Sequence, residues 1–176
     1  MLKLDDAIDE VPELPYFMLA ICYAALRPED AVRVFSAAFV FLVVSLFVGT
    51  LLKALFRTSR PTRYGRSVFR FGFPSMHSMI SVGGVAFVYH INPVFSLVLL
   101  PIGALYMYSR LRARVHSLFD VASGGTIGAV IGFYTGQAVA WLSMPGWVEI
   151  ICAALVFIVP IAYTFIRFRF FTSESK

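Results

Sequence analysis

The stretch Ser109-Arg110-Leu111-Arg112-Ala113-Arg114-Val115-His116-Ser117-Leu118-Phe119-Asp120 decides how the chain is read. It holds three arginines, one of three histidines, and one of two acidic residues between Ala31 and Ser173. Long apolar runs flank it on both sides. Polar groups this dense beside hydrocarbon are costly and usually mark a working site.

Working outward, the run before it, Met76–Ser109, contains no Lys, Arg, Asp or Glu over 34 residues. Asn92-Pro93 divides that run, because proline ends or restarts a helix. The run after it, Val121–Leu142, is long enough for a membrane span. Val34–Leu52 is a further uncharged span ending at Lys53, and Ile150–Ile166 is the last, followed by Arg167 and Arg169. Trp141 and Trp147 flank the turn at Ser143–Gly146, as in an aromatic belt at a membrane surface.

The fold class expected is therefore all-α, a polytopic transmembrane helix bundle of five spans. Leu14–Leu26, short at 13 residues, is counted as a sixth at the N-terminus. Composition agrees: of 176 residues, 59% are hydrophobic and 14% charged, against about a quarter charged in soluble proteins. One domain, 1–176, is expected, with an interfacial or spanning segment at 1–30, a catalytic core at 31–142, and the last span and tail at 143–176. The first dozen residues are acidic, so no cleavable signal peptide is expected. Cys22 and Cys152 lie in apolar runs and suggest no disulfide framework or metal motif.

Counting crossings locates the polar residues. The helix ending at Lys53 delivers the Arg57–Phe73 loop and His77 to one face, and two helices later the chain returns there at Arg110–His116. Parity thus gathers Lys53, Arg60, Ser75, His77, Arg110, His116 and Asp120 at one end. His90, near Asn92, falls at the other end and reads as an interfacial or packed histidine.

Asp120 follows His116 by one helical turn, so the two can share a face. A carboxylate there can accept the Nδ1 proton and leave Nε2 as a nucleophile. His77 is placed as a general acid and base. Lys53, Arg60 and Arg110 can neutralise a phosphate, with Ser75 and the N–H groups of a helix start completing the cradle. A basic loop at a membrane face usually binds headgroups, so Arg63, Arg66, Arg70, Arg112 and Arg114 are left without a role in the site. Gly124, Gly128, Gly132 and Gly136 recur every four residues, a pattern that lets membrane helices pack closely; making room for a lipid tail is the other reading.

These residues resemble the signature of the type 2 phosphatidic acid phosphatase (PAP2) superfamily. Lys53 with Arg60-Pro61, then Pro74-Ser75-Met76-His77, then Ser109-Arg110 with His116 and Asp120, match its three parts in order and spacing. Met76 departs from the small residue usual there, which bears on local shape. The resemblance implies a metal-independent membrane lipid phosphatase. His116 would form a phosphohistidine, Asp120 orient it, and His77 protonate the leaving group and activate water. Lys53, Arg60, Ser75 and Arg110 would hold the phosphate.

The expected partners are the bilayer and a phosphorylated lipid: phosphatidic acid, phosphatidylglycerophosphate, a lipid A phosphate, a polyprenyl pyrophosphate or a sphingoid phosphate. No cofactor, metal or nucleic-acid partner is expected. The basic residues on the site face favour a cytoplasmic location by the positive-inside bias; the resemblance favours an extracytoplasmic one, the side expected here. The alternative is a non-catalytic bundle that binds or transports anionic lipid.

Overall fold

Helix boundaries follow local chemistry closely. The computed structural model describes residues 23–24, 26–61, 70–139, 141 and 144–173. These form α1 (Pro28–Phe56), α2 (Met76–Ile91), α3 (Pro93–Arg112), α4 (Leu118–Ala138) and α5 (Gly146–Ser173), with no strand among the described residues. Pro28 opens α1, where its missing N–H costs nothing. Asn92 ends α2 and caps α3, its Oδ1 accepting from Val94 and Phe95 N–H at 2.9 and 3.3 Å, with Pro93 as the first residue of α3.

The expectation of five spans is larger than the structure supports. α1, α3 and α4 are long and apolar enough to cross a membrane by length and composition. α2 has 16 residues, about 24 Å of rise against a hydrocarbon core of about 30 Å. α5 runs over 28 residues, Gly146–Ser173, of which Gly146–Val159 is a shorter apolar helix among the described residues. Asn92 and Pro93 break the 34-residue run early enough to leave α2 short. The expected sixth segment, Leu14–Leu26, falls almost wholly outside the described residues.

The chain divides into two compact units. One comprises residues up to Phe39 together with those from Ser143 onward. There α1 buries Ala31, Val34 and Ala37, α5 buries Ala153 and Val156, and the rings of Phe35 and Phe157 meet edge to face at 5.2 Å. The other, Val40–Leu142, holds the remainder of α1 and all of α2, α3 and α4.

In this second unit the glycine stripe sets the packing. A Cβ added at Gly124, Gly128, Gly132 or Gly136 would collide with the carbonyl oxygen of Ser75, Met79, Gly83 or Phe87 respectively. Both sets advance by four, so α2 and α4 run parallel, backbone against backbone. The stripe thus serves close packing, and the seam leaves no space for a lipid tail. In hydrocarbon there is little hydrophobic force between helices, so such contact supplies the association. α3 returns antiparallel, Ser96 Oγ donating to the Val85 carbonyl at 2.9 Å.

Met76, the departure from the family pattern, is accommodated by α1. Its sulfur lies where a side chain at Gly49 would be, so a small residue on one helix offsets the larger one on the other. Met79, Leu99 and Val121 fill the core, and the rings of Phe41 and Phe87 stack at 5.8 Å.

Candidate active site

The parallel pair carries its polar residues at one end. Ser75 caps α2, its Oγ accepting from Ser78 N–H at 3.4 Å and from the Ser78 hydroxyl at 3.0 Å. Ser117 caps α4 through a reciprocal capping box. The Asp120 N–H donates to Ser117 Oγ at 3.1 Å, and the Ser117 N–H donates to Asp120 Oδ2 at 2.9 Å. The two helix starts are joined directly, since Ser75 N–H donates to the Asp120 carbonyl at 3.0 Å. Two orphan donors at the head of α4 are satisfied this way.

His116 precedes that cap on the short link from α3. The link turns at Arg114, whose φ of 53° lies in the left-handed region, with Arg114 N–H donating to Leu111 O at 3.0 Å. The turn sends Val115 and His116 inward, and His116 is 4% exposed. Its Nδ1 lies 3.8 Å from Asp120 Oδ2, itself in a side chain nearly fully buried. That is an ion-pair distance and too long for a hydrogen bond. Nδ1 has no hydrogen-bond partner, while Oδ2 is engaged by Ser117. The expected His–Asp pair is adjacent, and its hydrogen bond is not formed.

Cations surround the imidazole. Lys53 and Arg110 are each 1% exposed. Lys53 Nζ donates to Phe71 O at 2.8 Å and Gly72 O at 3.2 Å. Arg60 Nε donates to Phe71 O at 3.2 Å, and its Nη1 to Val115 O at 3.4 Å. Arg110 Nε donates to Ser109 Oγ at 3.2 Å, and that hydroxyl donates to Tyr106 O at 2.8 Å. Burial, then the charges of Arg60, Lys53, His77 and Arg110, hold the His116 pKa far below the usual histidine range. The imidazole is neutral at pH 7, the form in which a ring nitrogen can attack.

All seven residues expected from parity thus lie at one end of the second unit. His77, half-buried, sits in the first turn of α2, where its charge acts on His116. His90 lies at the far end of α2, its ring 4.4 Å from that of Phe133. Arg112 and Arg114 are exposed, and Arg70 is exposed with its guanidinium 4.9 Å from the Phe71 ring. Arg63 and Arg66 lie outside the described residues. Among the described residues no group of three His, Cys, Asp or Glu side chains could hold a metal ion.

The structure adds residues that the sequence reading left without a role. Gly72, read only as a turn former, lies against the Asp120 carboxylate: a Cβ there would sit 2.8 Å from Oδ2. Its carbonyl also receives Lys53. Phe71 gives one carbonyl to both Lys53 and Arg60. No local pattern marks either residue, because the contacts join positions 11 to 48 apart in sequence. Ser117 did leave a signal, since Ser-x-x-Asp before an apolar run is a capping-box pattern.

Buried cations around a neutral imidazole, with the Asp120 carboxylate beside it, suit binding and transfer of a phosphoryl group. Comparison with curated proteins and with solved structures gives no significant match. The family model described as the PAP2 superfamily matches residues 33–144, well over half of the chain, and the chain belongs to that superfamily.

Proposed function

We propose that the protein is an integral membrane lipid phosphatase, with 31–142 as the catalytic core of a single domain. It hydrolyses a phosphomonoester or pyrophosphate headgroup. One observation carries this: a neutral His116, 4% exposed, in the field of Lys53 and Arg110, each 1% exposed. Cations gathered beside a neutral imidazole suit a phosphoryl group in transfer, whose oxygens they offset.

In the first step His116 Nε2 attacks phosphorus, the P–N bond forms, and the bond to the leaving oxygen breaks in line. His77 gives that oxygen its proton. In the second step His77 takes a proton from water, whose oxygen attacks phosphorus; the P–N bond breaks and inorganic phosphate leaves. Lys53, Arg60 and Arg110 offset charge on the phosphoryl oxygens, with Ser75 at the head of α2 as a further donor. Asp120 orients His116, its Oδ2 closing from 3.8 Å on Nδ1 as the ring gains charge. Metal independence follows from the family resemblance.

The test is phosphate release from lipid phosphates in detergent with a chelator present. Release is expected to survive chelation and to vanish in His116→Ala. Full activity in that variant would remove His116 as nucleophile. No turnover of any lipid phosphate would favour a bundle that binds or transports anionic lipid. The site face is proposed to be extracytoplasmic, and reporter fusions in the Arg57–Phe73 loop and at the C-terminus test this; cytoplasmic signals from both would reverse it.

A further inference from the structure

Between Lys53 and Arg60 lies a residue that holds the carbonyls on which both cations depend. α1 ends at Phe56, and Arg57, with a φ of 48°, turns the chain, its N–H donating to Lys53 O at 3.1 Å. A residue in the left-handed region closes a helix in this way. The next residue, Thr58, then meets the segment before α2 twice. Gly72 N–H donates to the Thr58 carbonyl at 3.0 Å, and Phe73 N–H donates to Thr58 Oγ1 at 2.8 Å.

The same segment receives the cations. Lys53 Nζ donates to Phe71 O and Gly72 O, and Arg60 Nε donates to Phe71 O. The N–H groups of Gly72 and Phe73 thus go to Thr58, while the carbonyls of Phe71 and Gly72 go to Lys53 and Arg60. Both cations reach one oxygen, Phe71 O, so like charges are held together there, and a carbonyl that moved would let them part. An ammonium group has three donors. With two of them engaged, the rotation of the Lys53 head group is fixed and its third N–H has one direction.

We infer that Thr58 is a positioning residue: by clamping Gly72 and Phe73 it keeps the Phe71 and Gly72 carbonyls where they set Lys53 and Arg60 for a phosphoryl oxygen. This rests on the phosphatase reading above. Thr58 acts through that segment and not on the phosphate. Loss of its hydroxyl leaves the part-buried Phe73 N–H without its acceptor, a cost that favours release of the segment. Lys53 then regains rotation, and the phosphate loses a donor fixed in advance.

The experiment measures two quantities in detergent for wild type, Thr58→Val and Thr58→Ser. One is kcat/KM for whichever of the expected lipid phosphates wild type cleaves fastest; the other is the inhibition constant of inorganic phosphate. Valine matches the shape of threonine without the acceptor, and serine keeps the acceptor. In Thr58→Val, kcat/KM is expected to fall about tenfold and the inhibition constant to rise by a similar factor. Thr58→Ser is expected to stay close to wild type in both. Partial unfolding removes active molecules, which lowers kcat and leaves the inhibition constant unchanged, so the second quantity separates positioning from stability. Thr126→Val, which loses a hydroxyl that donates to Ala122 O within α4, is expected to match wild type. If Thr58→Val does not fold, Thr58→Ala replaces it with the same expected changes. An unchanged inhibition constant in the active variant, or equal losses in Thr58→Ser, overturns the inference while leaving the phosphatase reading standing. An equal rise in Thr126→Val also overturns it. No phosphate release from any lipid phosphate by wild type overturns both.

Discussion

His116 and Asp120 face each other at 3.8 Å, nearly fully buried, without a hydrogen bond between them. The oxygen nearest the imidazole is the one that Ser117 holds through its backbone N–H. The helix cap therefore positions the carboxylate for the histidine. Removing the Ser117 hydroxyl breaks half of the box. Ser117→Ala is expected to cost about 1 kcal/mol of stability and to lower kcat about tenfold with KM little changed. Ser117→Thr, which keeps the cap, should recover most of kcat. Steady-state kinetics beside thermal unfolding in detergent would check both; wild-type kcat in Ser117→Ala would show that the Ser117 hydroxyl is not needed and that the backbone N–H alone holds Asp120.

Gly72 bounds the same carboxylate from the other side. Its missing side chain leaves the space that Asp120 occupies, and a methyl group would sit 2.8 Å from Oδ2. Because Ser117 fixes that oxygen, the 70–73 segment has to give way, taking the carbonyls of Phe71 and Gly72 from Lys53. Gly72→Ala is expected to lower kcat/KM by about two orders of magnitude, roughly 2.7 kcal/mol of transition-state stabilisation. Assaying the variant beside its circular dichroism would separate this from unfolding.

The glycines of α4 should respond unequally to the same substitution. At Gly128 a methyl group meets the Met79 backbone carbonyl, which cannot rotate away. Gly128→Ala is expected to destabilise by about 1–3 kcal/mol, the usual cost of overpacking. At Gly125 the nearest atoms are side-chain ends of Met107 and Val82 at 3.5 Å. Gly125→Ala should be neutral or stabilising by up to about 1 kcal/mol, from helix propensity. Unfolding midpoints of the two variants should therefore move in different directions, or one should not move.

The depressed pKa of His116 makes a prediction about acid. In the folded protein the imidazole stays neutral well below its ordinary value of 6.5. Once unfolded, it takes up a proton as pH falls through that value. The unfolded state then binds more protons, so stability is lost as pH falls below about 6.5, with a limiting slope of about 1.4 kcal/mol per pH unit. His116→Gln removes this contribution. Its stability between pH 6.5 and pH 5 should fall less steeply than that of the wild type, as read from unfolding midpoints.

Arg114 offers a substitution that should not weaken the fold. Its φ of 53° costs a residue with a side chain about 1 kcal/mol relative to glycine. Arg114→Gly is expected to keep the turn that delivers His116 and to raise the unfolding midpoint slightly. A clear fall would show that the guanidinium holds the turn by other contacts.

The end of the unit at which the polar residues meet was legible from crossings alone. Lys53, Ser75 and His116 lie on different segments, separated by the breaks after Phe56, at Asn92-Pro93 and before Ser117. The spacing of His116 and Asp120 also revealed their adjacency. It could not reveal that Ser117 competes for the same oxygen, because a four-residue offset fixes a helix face and not the side-chain partner. Gly72 and Phe71 were hidden for a different reason: their contacts are to Lys53 and Asp120, 19 and 48 positions from Gly72, and no local pattern encodes them. The count of spans was overstated, since hydropathy marks apolar runs but not where a capped helix stops, as at the short α2.

The backbone seam between α2 and α4 has a consequence for how the protein meets different bilayers. A membrane that thins or thickens makes helices tilt, and helices joined only by side chains can tilt separately. Here the glycine contacts oblige the two to tilt as one, with His77 near the head of one and His116 just before the head of the other. The spacing of the proposed acid and nucleophile is thus insulated from membrane thickness. What the bilayer can tune is how a substrate's hydrocarbon reaches that end, so adaptation to a new membrane would alter affinity before it altered the chemical step.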